Sequence, residues 1–180
     1  MKEKVGKLLE SLRTKRVGVF CDDSNLYHSY KKYGWRVDFK KFRELLESRC
    51  DLKFINYHLA IPQNADADHR GVQNFIQHIA SYTTLKKKPL KYIPFGTHII
   101  RKGDVDVEIT LDVVRNIDNL DAAIVVSGDS DLLELKNYVV QDKNKNIIFW
   151  AYEKNMAWEL KYCWHLYLDD YRKEIELGLK

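Results

Sequence analysis

Hydrophobic and polar positions follow two rhythms along this chain, and the switches between them mark out its elements. Strand-like, largely apolar stretches recur at Arg16 to Cys21, Leu52 to Ile61, Ala122 to Val126 and Asn146 to Tyr152. Short runs that stop at turn residues read as buried strands of a parallel sheet. Between them, apolar residues fall at helical spacing. Phe39, Phe42, Leu45 and Leu46 form an inner stripe behind a capping Asp38. Val72, Phe75, Ile76 and Ile79 form another within Asp68 to Tyr82, and a third helix spans Val105 to Ile117. Helices are also predicted from Asn25 to Gly34, from Ser130 to Val140 and from Met156 to Leu168. Leu90 to Pro94 and Thr97 to Ile100 predict a hairpin through Phe95-Gly96, while Gln63 to Asp68 and Lys86 to Pro89 read as loops. Strands alternating with helices specify an α/β fold, with a mainly parallel sheet covered on both faces.

The flanks divide the chain into an N-terminal helix at 1–15, with Val5, Leu8, Leu9 and Leu12 on one face, a domain at 16–168, and a charged helical tail at 169–180. A length of 180 residues, 45% hydrophobic and 31% charged, fits a single globular domain. No apolar run approaches the roughly 20 residues of a transmembrane helix, and the charged N-terminus lacks a signal-peptide core. The three cysteines (Cys21, Cys50, Cys163) are widely spaced, fit neither a zinc module nor a disulfide framework, and read as reduced residues of a cytoplasmic protein. The net charge of +4 is compatible with a polyanionic partner.

Candidate chemistry sits where apolar runs break into carboxylates. Ala122 to Val126 runs into Ser127-Gly128-Asp129-Ser130-Asp131, and Val17 to Cys21 runs into Asp22-Asp23-Ser24-Asn25. If those strands are parallel neighbours, Asp22 and Asp129 meet at one edge, beyond the carboxyl ends of the strands, where such sheets bind ligands. At about 100° per residue, Thr110, Val113 and Ile117 lie within about 40° of Asp106, so Asp106 heads an otherwise apolar stripe. Asp112 lies about 120° away, on the polar flank with Glu108 and Arg115. A lone carboxylate on a buried stripe costs several kcal/mol unless it is paired, protonated or metal-bound. Three mutually repelling carboxylates make sense around a hard divalent cation, Mg2+ or Mn2+, which activates water and neutralises a phosphodiester. Asn25 orients Asp22 or holds a water. The plain alternative is that each aspartate after a strand caps the next helix.

Three segments together resemble the NYN domain family, the LabA-like branch of the PIN-like nucleases. They are Val19-Phe20-Cys21-Asp22-Asp23-Ser24-Asn25, then Lys102-Gly103-Asp104-Val105-Asp106-Val107 with Asp112 six residues beyond Asp106, and Ser127-Gly128-Asp129-Ser130-Asp131. The resemblance implies a PIN-like three-layer α/β/α sandwich and metal-dependent RNA cleavage. It implies a metal set of Asp22, Asp106 and Asp129 with Asp112, and catalytic support from Asn25 and Asp131. Two departures stand out. Asp23 occupies the position where the family pattern has glycine, and one extra residue separates Lys102-Gly103 from Val105-Asp106.

Basic residues near such a centre bind phosphates without reading sequence. Arg101 and Lys102, which lead into Asp106, are the preferred substrate-binding residues together with Ser127; of Tyr27, His28, Tyr30, Tyr33 and Trp35, some are able to stack on unpaired bases, while Tyr27 and Tyr30 read first as core or rim packing. The six histidines show no metal-ligand spacing, and His58 reads as an ordinary strand residue. Trp158, Tyr162 and His165 form a stripe that either covers the sheet or meets a second copy in a homodimer. The expected function is ribonuclease action on single-stranded or loop RNA. The alternative is an inactive scaffold of the same fold that binds RNA or a protein. No Gly-rich phosphate loop supports NTP hydrolysis, and no Ser or Cys stands with a matched His and acid. An adhesion-type metal motif is disfavoured by Leu26, and a phospho-receiver by Ile99-Ile100-Arg101 at the third strand.

Overall fold

The computed structural model of the protein describes residues 8–178. Val5 of the expected N-terminal helix lies outside them, whereas Leu9 and Leu12 are buried in the core. Six strands form one parallel sheet: β1 (Arg16–Asp22), β2 (Asp51–Ile61), β3 (Thr84–Pro89), then β6 (Ala122–Val126), β7 (Asn146–Ala151) and β8 (His165–Tyr167). Their spatial order is β3-β2-β1-β6-β7-β8. The remaining strands, β4 (Lys91–Phe95) and β5 (His98–Lys102), pair as a separate antiparallel hairpin. Gly96 turns it with a φ of 59°, a conformation that a Cβ disfavours.

The chain winds from β1 outward through β2 to β3, then returns to the other side of β1 with β6. The order therefore reverses between β1 and β6, which leaves a crevice at the carboxyl ends of those two strands. Alternation along β1 divides the molecule into layers. Val17, Val19 and Cys21 face one core with Ile55, Tyr57 and Leu59 of β2. That core is closed by α1 (Asp23–Tyr33), α2 (Phe39–Glu47) and α3 (His69–Ile79), which contribute Leu26, Phe42 and Ile79. Phe20 faces the opposite core, closed by α4 (Asp106–Asn116) and α5 (Leu133–Asn137) through Ile109, Val113 and Leu135. The result is the expected three-layer α/β/α sandwich. No described helix is long and apolar enough to cross a membrane.

Three segments differ from the pattern reading. Lys86 to Lys88 belong to β3, an edge strand, not to a loop. A lysine-rich strand carries little apolar alternation, yet it is what an open sheet edge favours, because exposed charge discourages further pairing. Met156 to Leu168 is not a helix but a 3-10 turn (Glu159–Tyr162) followed by β8. The backbone of β7 accepts a further strand, and Phe149 to Ala151 pair with His165 to Tyr167. The Trp158/Tyr162 stripe therefore does not cover the sheet; both rings are mostly exposed. The region 130–142 begins as a 3-10 turn, continues as α5 and ends in a π turn over Tyr138–Asp142.

The tail is partly helical, with α6 at Arg172–Ile175, and it is built into the first core. Asp38 N–H donates to Ile175 O, Leu177 N–H donates to Arg36 O, and Ile175 is fully buried. Ile175→Ala should cost about 2–5 kcal/mol, as a buried large-to-small change does. Urea denaturation checks this, and a loss below about 1 kcal/mol would show that the tail is not part of the folded unit.

Candidate active site

Asp22 ends β1 on the face that α4 covers. It is 4% exposed. One carboxylate oxygen accepts from Asn25 N–H at 3.2 Å and caps α1; the other accepts from the buried Ser127 hydroxyl at 3.0 Å. Ser127 follows β6, and its hydroxyl oxygen also accepts from Asp129 N–H at 3.2 Å. Asp129 in turn caps the next turn by accepting from Asp131 N–H at 3.0 Å. Both aspartates are thus N-caps, as the plain alternative held. Capping leaves their remaining lone pairs free, and the two cap positions are adjacent because β1 and β6 are paired.

Asn25 ties the neighbouring loops together. Its side-chain oxygen accepts from Gly128 N–H at 3.1 Å and from Asn155 Nδ2 at 3.2 Å. Asn155, in the loop after β7, gave no signal in the sequence beyond its place following a strand. Gly128 is confined by that loop, since a Cβ there would run into the backbone carbonyl of Asn155. Ala157 N–H donates to Gly128 O from the same loop.

The charges at this edge interact. Burial pushes the Asp22 carboxyl up to about 6; the hydrogen bonds from Asn25 and Ser127 oppose that, and the negative charges of Asp106 and Asp23 add to it. Asp106, half-buried in the first turn of α4, is also raised, first by burial and then by Asp129, Asp104 and Asp131. Asp106 thus adds to the negative charge felt by Asp22 and itself feels that of Asp129 and of the exposed Asp131.

Asp112 lies elsewhere, and the relative burial of the two α4 aspartates is the reverse of the reading from periodicity. Asp112 is buried, whereas Asp106 is only half-buried. Asn56 Nδ2 donates to Asp112 at 2.7 Å, Asn116 Nδ2 at 3.0 Å, and Lys86 Nζ stands 3.8 Å away. His58 Nε2 lies 3.0 Å from the Asp112 carboxylate, close but too poorly aligned for a good hydrogen bond. Burial alone would raise Asp112, but His58, Asn56 and Lys86 outweigh it and hold the group below its ordinary value. His58 is accordingly no ordinary strand residue. These donors sit on β2 and β3, where helical periodicity within α4 gives no view of them.

The predicted phosphate ligands are engaged. Arg101 pairs with Asp68 at 2.7 Å and Asp66 at 3.2 Å, joining the hairpin to the loop after β2. Lys102 pairs with Asp104 at 3.2 Å. Ser127 is buried, and its hydroxyl links the Asp22 carboxylate to the Asp129 backbone N–H. Asp23 points into the first layer, where the Tyr57 hydroxyl donates to it at 2.7 Å.

Among the described residues, no group of three or more His, Cys, Asp or Glu closes into a geometry that holds a metal ion. The donor chemistry nonetheless fits a hard divalent cation. It is all oxygen, acidic, and internally repelled in a way a cation relieves.

The NYN domain model matches residues 16–169. The low amplitude and bright protein LabA of Synechococcus elongatus is 23% identical over 171 residues, spanning 92% of this chain and 90% of that protein. A crystal structure of a protein of unknown function, VPA0982 from Vibrio parahaemolyticus, matches with a TM-score of 0.72 at 23% identity, over 92% of this chain and 98% of that one.

The raised Asp22 sets a stability profile. Folded Asp22 holds its proton up to about pH 6, whereas the unfolded chain releases it near the ordinary value of 3.8. Stability from this group is therefore present below about pH 4 and is lost as pH rises through about 6. Asp22→Asn should gain on the wild type across that window by up to roughly 3 kcal/mol. Denaturation in EDTA at pH 4 and pH 7.5 checks it, and an advantage that does not grow with pH would refute the shift. Gly128→Ala should destabilise by about 1–3 kcal/mol. Gly71→Ala in α3, where nothing lies within 4 Å of an added Cβ, should be neutral or stabilising; thermal melts of the pair distinguish a local clash from a general intolerance.

Proposed function

The chain belongs to the NYN domain family, and from that premise we propose that it is a metal-dependent ribonuclease that hydrolyses phosphodiester bonds of single-stranded or loop RNA. The observation that carries the reading is the placement of Asp22 and Asp129 at the ends of the paired strands β1 and β6, with Asp106 near enough that its charge raises Asp22 and that Asp129 raises it in turn. Aspartates that served only as caps would gain nothing from facing each other. A bound Mg2+ or Mn2+ would supply a water activated for attack on phosphorus and neutralise the phosphate.

In this reading, Asp22, Asp106 and Asp129 hold the cation through their free lone pairs, and Asp131 stands at the rim where water and substrate enter. Ser127 fixes the spacing of Asp22 and Asp129. Asn25 holds the Gly128 and Asn155 loops against the start of α1, so the carboxylates do not spread under their own repulsion. Lys102, exposed and paired with Asp104, would supply a phosphate ligand. Arg101 reaches a phosphate only by leaving Asp66 and Asp68. Asp112 acts from outside the set, by fixing α4 over β2.

Cleavage of a fluorescent single-stranded RNA with Mg2+ or Mn2+ tests this. Asp106→Asn and Asp129→Asn should each lower the rate by at least about a hundredfold while circular dichroism stays unchanged. Wild type should also gain thermal stability on addition of Mn2+, and Asp22→Asn should not. A folded wild type that cuts no RNA with either metal and gains no stability would overturn the enzyme reading in favour of an inactive RNA-binding scaffold.

A further inference from the structure

A cleft of about 620 Å3 opens on the other face of the sheet from α4, between α1 and α3. Its volume falls in the range of small-molecule and nucleotide sites. The chain connects it to the carboxylate set at two points. Asp23, in its wall, immediately follows Asp22, and Gly103 and Asp104, also in its wall, shortly precede Asp106.

The lining has a particular chemistry. Tyr57 forms part of the floor, and the rings of Tyr27, Tyr30 and Phe75 line the sides. The Arg36 guanidinium lies between two of those rings, 4.5 Å from the centroid of Tyr30 and 4.8 Å from that of Phe75. Flat aromatic and guanidinium surfaces of this kind stack on unpaired bases. Of the three carboxylates in the lining, Asp68 and Asp104 are paired with Arg101 and Lys102, which leaves Asp23 among the rings. The Tyr57 hydroxyl donates to one of its oxygens at 2.7 Å, and among the described residues the other oxygen receives no hydrogen bond and no ion pair. Tyr57 thereby fixes the orientation of a group that, when ionised, only accepts.

An acceptor-only pair of oxygens selects a base edge that donates twice. On the Watson–Crick edge, guanine presents adjacent N1–H and N2–H2 donors. Adenine and cytosine each present an amino donor beside an acceptor, and uracil presents one N–H between two carbonyls. We propose that this cleft binds a guanine base, with Asp23 accepting from N1–H and N2–H2 while Tyr27 and Tyr30, the latter backed by Arg36, stack on the ring. In the ribonuclease reading, on which its role in substrate choice rests, the cleft holds a guanosine beside the nucleotide at the carboxylates and makes cleavage guanine-dependent.

Base binding needs neither metal nor cleavage, so the full-length protein in EDTA is titrated with GMP, AMP, CMP and UMP and followed by calorimetry. GMP is expected to bind roughly tenfold or more tightly than the other three, and Asp23→Asn to abolish that preference, as loss of a bidentate base contact does. Arg36→Met, which leaves the Asp23–Tyr57 contact in place, should weaken all four nucleotides together. A single-stranded hexamer containing one guanine separates the sources. Tighter binding than GMP identifies an RNA strand as the ligand, and equal binding a free nucleotide; either outcome supports the cleft. Equal affinity for all four nucleotides, or a GMP preference unchanged in folded Asp23→Asn, would overturn it. Because the readout is binding, a protein that prefers GMP but cuts no RNA keeps the cleft and loses only the nuclease, and the reverse result does the opposite.

Discussion

The Ser127 hydroxyl stands between two aspartates, donating to Asp22 and accepting from Asp129 N–H. Carboxylates at the ends of adjacent strands repel, and burial of Asp22 strengthens that repulsion by removing water. A neutral hydroxyl with one donor and free acceptor capacity is the smallest group that holds both. Its own position depends on the parallel pairing of β1 with β6, on the Asn25 amide that pins Gly128, and on the absence of a Cβ at Gly128. The order of strands, the local turns and the loop after β7 are all consistent with keeping these groups together.

The second constraint is electrostatic division of labour along α4. Asp106, in its first turn, faces other carboxylates and is raised; Asp112, two turns on, faces donors and is lowered. One helix thus carries an acid that repels its neighbours and an acid that anchors it. Anchoring by a buried carboxylate is tolerable because Asn56, Asn116, His58 and Lys86 surround it. The helix end with the repelling acid is then positioned by the end with the satisfied one. The same division recurs at the first corner, where Asp22 and Asp23 are consecutive yet serve opposite faces of the sheet.

Much of this was legible in the chain. Apolar runs of five to seven residues that stop at Asp22 and Ser127 give β1 and β6 within a residue or so, because a strand buried on both faces tolerates no polar position. Asp22, Asp106 and Asp129 were identifiable as a set because each stands at the end of an element whose apolar pattern is strong. The errors fall where pattern is weak or where the deciding partner is remote. β3 was missed because lysine at a sheet edge is selected against aggregation and not for burial. β8 was missed because its three residues form a strand only by pairing with β7. Periodicity puts Asp112 on the polar flank because it records only which helix positions are apolar, while Asn56, His58 and Lys86, which make its burial tolerable, come from β2 and β3.

The sequence by itself determined the α/β class and the covered parallel sheet, and it placed candidate carboxylates at the ends of elements, since each follows from the local spacing of apolar and acidic residues. The tertiary structure alone decided which carboxylates face one another, which one is neutralised by donors, and that Asn155, Ser127 and Gly128 lock the corner. Those outcomes depend on burial and on contacts across the sheet, and both are set only when the strand order reverses between β1 and β6.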